Sequence, residues 1–179
     1  MRLLFSIRAL AAFAVGVFLI FNQGHYVAIS LIALAAYTLA LSLGQLGAAL
    51  FGRGGLSAIE SVPTTIISFT VGILAALAYA QGLQNQVSPA ITIQQFEWLL
   101  TGWALTTGAF ELYLARRYSF GTPLGRDFAI LAGLALLLGG LNLAIDMDRT
   151  TTVGMFVAYL AFSAVHLGIA AASPTETTK

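Results

Sequence analysis

The chain has 179 residues, of which 59% are hydrophobic and only 8% are charged. Soluble domains carry about a quarter charged residues, so an ordinary soluble fold is excluded, and a net charge of +1 offers no electrostatic case for nucleic acid. The absence of cysteine excludes disulfides, thiolate metal sites and thiol catalysis.

The first predicted helix covers 3–21. Its basic start and apolar middle resemble a secretory signal. The run nevertheless ends in Phe21-Asn22-Gln23 without a small-residue cleavage pattern, which favours an uncleaved membrane helix. Arg8 lies near its start and is expected to snorkel to the headgroups on its aliphatic stem. After a turn at 22–25, a second helix covers 26–51, followed by a glycine-rich loop over 52–61. Ser61 and Pro63 read as the start of a third helix, 62–80, since proline is tolerated in a first turn. The uncharged stretch 81–95, with Asn85, Ser88 and Pro89, reads as irregular. A fourth helix covers 96–115 and stops at Arg116-Arg117. Thr122-Pro123 is another helix-start signal.

The last part of the chain is the clearest. An apolar run over 128–145 and another over 153–172 flank the short polar break DMDRTTT at 146–152. At about 1.5 Å per residue the two runs measure about 27 and 30 Å, the thickness of a bilayer's hydrocarbon core. So short a break makes them lie antiparallel, side by side. The fold expected is an all-α integral membrane protein, with six transmembrane helices arranged as three tandem helical hairpins. One transmembrane domain spans 1–173, and a short polar tail, 174–179, follows it.

Every basic residue except Arg149 falls at the N-terminus, in the second-to-third or fourth-to-fifth loop, or in the tail. By the positive-inside rule both termini face the cytoplasm, across the plasma (inner) membrane. Trp98 and Tyr79 then fall near the outer boundary, and Tyr113 and Tyr118 near the inner one.

The hairpins look like repeats. Each odd helix carries a glycine in a similar setting, Gly16, Gly72 and Gly133, and each even helix a late small-residue stretch, at Gly44, Gly108 and Ala164. Copies of a two-helix unit are parallel, so the inverted repeat used for alternating access is missing, and pseudo-threefold packing is expected. Stripes of small residues at Ala36/Ala40/Gly44/Ala48, Ala104/Gly108 and Ala164/Gly168/Ala172 suit close backbone approach.

Few polar groups fall within the apolar runs. In the repeat register Gln45, Glu111 and His166 occupy nearly equivalent places on the even helices, and would form one buried polar layer near the cytoplasmic side. An ionisable group inside a membrane is a functional candidate by default, and a Glu111–His166 pair could exchange protons near neutral pH. The blander alternative pairs Glu111 with a basic residue at the headgroups and gives His166 one interhelical hydrogen bond. Asn142 is expected to satisfy a neighbouring backbone group, and His25, Asp146 and Asp148 to be solvated charges of outer turns.

There is no phosphate loop, HExxH, nucleophile elbow or paired-carboxylate site. No enzyme, cofactor or metal is therefore expected. Three roles fit: a structural or stress-related membrane protein, an accessory subunit of a larger membrane complex, or a small channel or proton-linked transporter. The last ranks lowest, since a channel needs a continuous polar stripe. The partners expected are the lipid bilayer and either further copies of the chain or a larger complex.

The repeated hairpin resembles the six-helix HdeD-like membrane proteins, associated with bacterial acid resistance. The resemblance covers about 8–173 and rests on Gly16, Gly72 and Gly133, and on a small residue followed by a basic exit, Gly44 to Arg53 and Gly108 to Arg117. The third unit departs, with Ala164 at the glycine place and no basic exit before Ser173, and the second has a longer outer loop. The resemblance implies a non-enzymatic plasma-membrane protein and carries over no site residue.

Overall fold

The computed structural model describes residues 2–22, 27–50, 58–84 and 88–173. His25, Arg53 and the tail 174–179 lie outside them. Among the described residues the fold is all-α, with six helices: α1 (Arg2–Phe21), α2 (Val27–Leu50), α3 (Ala58–Leu83), α4 (Pro89–Arg117), α5 (Pro123–Ala144) and α6 (Arg149–Ala172). Apolar runs take this form because lipid offers no partner for a free backbone N–H or C=O. All but α4 are long and apolar enough to cross a membrane, as a multi-pass membrane protein requires. Large apolar side chains such as Leu10, Phe13, Phe69, Phe162 and Val165 point outward around the bundle, where a bilayer would cover them.

Two expected boundaries move. The stretch 81–95 is largely helical: α3 runs on to Leu83, and α4 begins at Pro89. The Ser88 hydroxyl accepts from the Ile91 N–H at 3.4 Å, so Ser88-Pro89 starts a helix instead of marking a break. Conversely, α3 begins at Ala58 and places Pro63 inside the helix, not at its start. Thr122-Pro123 does open a helix, with Thr122 Oγ1 accepting from the Gly125 N–H at 3.0 Å. Asp148 has more to do than carry a solvated charge. It caps α6, and the Thr151 hydroxyl and Thr150 N–H that it accepts hold its carboxyl below the usual carboxylate range.

The helices close into a ring in which each touches the next and α6 returns to α1. The most extensive contacts join α4 to α5, α2 to α3 and α6 to α1. The tightest pairs therefore straddle the three hairpins expected from the sequence. Glycines allow close approach at two of these seams. A Cβ added at Gly72 of α3 would lie 2.6 Å from Leu39 of α2, and one at Gly139 of α5 would lie 2.7 Å from Leu105 of α4. Gly133, expected to be the third equivalent glycine, is exposed with open space beside it, and Gly139 takes that place. Of the small-residue stripes, Ala104/Gly108 is buried against α5, and on α2 Gly44 packs against Ile7 of α1 and Ala48 is buried, whereas Ala36 is exposed and Gly168 faces open space.

The even helices meet at the centre. Tyr37, Trp103 and Tyr159 touch edge to face, with ring centroids 5.5, 5.7 and 6.4 Å apart. One constant offset relates α2 to α4, and another α4 to α6. The same offsets match Leu34, Leu100 and Phe156 one turn to one side, and Leu41, Thr107 and Ser163 one turn to the other, all buried. Three-residue layers therefore stack where the even helices meet, in a register of their own, since the α2–α4 offset carries Gly44 to Phe110 and not to Gly108.

Candidate functional site

Arg8 does not reach the headgroups. Its side chain is 4% exposed and turns inward from α1 to pair with Glu111 of α4, whose side chain is 1% exposed. The physical reason is the ring closure: α1 is held between α2 and α6, so its inner face looks on the bundle centre. A lone buried carboxylate would be prohibitively costly, and the Arg8 guanidinium neutralises it.

The pair lies between two apolar clusters. On one side are the aromatic layer of Tyr37, Trp103 and Tyr159 and the larger core beyond it, with Leu34, Phe96, Leu100 and Phe156. On the other, Phe5, Leu114, Ala115, Phe128, Leu131 and Leu167 form a separate cluster. Tyr37 and Tyr159 are both within electrostatic reach of Arg8. Trp103 is held in place by donating its indole N–H to Ser68 Oγ of α3 at 3.3 Å.

The three residues expected to share one polar layer do not meet. Glu111 is bound to Arg8. Gln45, buried at the position equivalent to Glu111, accepts from the Thr65 hydroxyl of α3 at 3.0 Å. His166 is largely buried beside Asp127 of α5, with Nε2 3.4 Å from Oδ1. For His166 the cause is a single residue of register. The offset that relates Trp103 to Tyr159 relates Glu111 to Leu167, and a step of one residue turns a side chain about 100° around the helix. Leu167 therefore takes the inward place, and His166 turns toward α5.

Asn142, expected to satisfy a backbone group, has a buried Nδ2 with no hydrogen-bond partner. It lines a cleft of about 300 Å³ with Glu97, Trp98 and Asp146. No group of three or more His, Asp or Glu side chains able to hold a metal ion occurs among the described residues. At the opposite end Glu60 of α3 pairs with Arg117 and accepts from the Tyr118 hydroxyl at 2.8 Å. Burial, reinforced by this carboxylate, pushes the Tyr118 phenol up.

Sequence reasoning missed Arg8, Tyr37 and Tyr159 as site residues. A signal existed: the tyrosines and Trp103 share the offsets that align Leu34, Leu100 and Phe156. No match to the chain is found among protein-family models, curated proteins or solved structures.

Proposed function

We propose that the chain is a non-enzymatic protein of the plasma membrane, with all six helices crossing and a structural role in the bilayer. The observation that carries this reading is the closed axis. The Arg8–Glu111 pair is enclosed by the aromatic layer on one side and the Phe5/Phe128/Leu167 cluster on the other. Conduction needs a continuous polar or water-filled path, and these apolar layers interrupt it.

The sixth crossing is α4. It lies antiparallel along α5, with Gly125 beside Ala115 at one end and Gly139 beside Leu105 further along. Its Glu111 is neutralised internally, and Arg116 and Arg117 stand at its end. The distribution of basic residues puts both termini in the cytoplasm. A reporter active only in the cytoplasm, fused after residue 179, is expected to be active; a silent fusion would reverse the orientation.

The HdeD-like resemblance makes acid stress the natural setting, and the closed axis gives that setting a direct test. Protein reconstituted in liposomes loaded with a pH-sensitive dye is expected to leak protons no faster than empty liposomes, at external pH 5 and pH 7. A several-fold faster dye response would replace this reading with the proton-linked transporter. One observation suits an accessory-subunit role: Ala164 and Gly168 leave an apolar groove between α1 and α6, lined also by Leu10, Phe13 and Val165, in which another helix would replace lipid.

A further inference from the structure

We propose that the Arg8–Glu111 centre is a built site for bound water, enclosed within the bundle. Four buried polar atoms there have no hydrogen-bond partner among the described residues, Arg8 Nε, Glu111 Oε2, Thr107 Oγ1 and Ser163 Oγ, and the Tyr37 and Tyr159 hydroxyls have at most each other. Each belongs to a side chain that is at least nine-tenths buried. Burying such a group without a partner is costly, and more so when it is charged, so this many together call for a shared occupant.

The register places these groups together. Thr107 stands midway between Trp103 and Glu111 on one face of α4, one turn from each, and Ser163 holds the same layer position on α6, one turn from Tyr159. Arg8 is electrostatically coupled to Glu111, Tyr37 and Tyr159. A hydroxyl on a membrane helix ordinarily satisfies itself on its own backbone, as Thr38 does on Leu34 O at 2.8 Å and Thr106 on Gly102 O at 2.6 Å. Thr107 and Ser163 do not.

The chemistry of the set selects the occupant. An anion would face the Glu111 carboxylate and a cation the Arg8 guanidinium. A neutral molecule that both donates and accepts suits the free N–H, the carboxylate oxygen and the four hydroxyls. With two to four partners for each buried water, roughly two to three molecules would satisfy the site. The inference is independent of the structural role proposed above.

Millisecond hydroxyl-radical footprinting by radiolysis, read by mass spectrometry on the protein in nanodiscs, tests it. Radicals formed from bound water label the side chains beside it. Tyr37 and Tyr159 are expected to be oxidised several-fold faster than Phe96 and Phe156, which are equally buried in the neighbouring apolar layers. Tyrosines as silent as those phenylalanines would overturn the proposal. Equal, strong labelling of all four would overturn it as well, by showing the core open to bulk solvent. Thr107→Val combined with Ser163→Ala is expected to lower tyrosine labelling several-fold and leave the phenylalanines unchanged. Undiminished labelling in a folded variant would place the water elsewhere.

Discussion

Replacing Arg8 with methionine is expected to cost about 3–5 kcal/mol of stability, because it leaves the Glu111 carboxylate buried with no counter-charge. Glu111→Leu alone should cost a similar amount, leaving the guanidinium unpaired. The double variant is expected to recover most of the loss, since apolar side chains of similar volume can replace a buried pair at little or no net cost. Thermal melting of the four proteins in one detergent, compared as a double-mutant cycle, measures the coupling. Additive losses would show that the two side chains do not depend on each other. His166 gives the internal comparison. It sits beside Asp127, and the pair is only about four-fifths buried, with side chains 22% and 23% exposed. His166→Gln should therefore cost well under half as much as either central replacement.

The second large effect is expected at Gly125, in the first turn of α5. A Cβ added there would lie 2.0 Å from the Ser119 carbonyl oxygen and 3.1 Å from that of Ala115. Both are backbone atoms, and neither can move aside as a side chain would. Ser119 is itself fixed in the left-handed region at φ 67°, and its carbonyl accepts from the Thr122 N–H at 3.0 Å, so the turn has little freedom to yield. Gly125→Ala is expected to cost about 3 kcal/mol, the upper end of the range for overpacking. The loss should appear as a lower melting temperature. Gly133→Ala supplies the contrast: the site is open, and alanine is the better helix former, so stability should hold or rise slightly. Equal effects at the two positions would mean that the α4–α5 turn is not packed as described.

The sequence by itself determined the class of the protein and most of its helices. Long apolar runs with few charges leave only helices as a way to satisfy the backbone in lipid. Thr122-Pro123 was legible for the same local reason, a side-chain cap followed by a residue that needs no N–H donor. Ser88-Pro89 is the same signal but reads equally as a break, and only the Ile91 N–H on Ser88 Oγ decides between them. The buried Glu111 was also legible, as an acid within an apolar run.

Its partner was decided by tertiary structure. Arg8 near the start of a membrane helix carries the same local signal whether it snorkels outward or turns inward. The difference lies in the rotation of α1, fixed by its packing between α2 and α6. The third glycine shows the same limit, because Gly133 and Gly139 are alike in local sequence and differ only in which one faces Leu105. His166 shows it most sharply. Its depth along α6 could be read from the chain, but its direction depended on one residue of register. Depth is a one-dimensional quantity that sequence position supplies. Which way a side chain points is settled only when every neighbouring helix has taken its place.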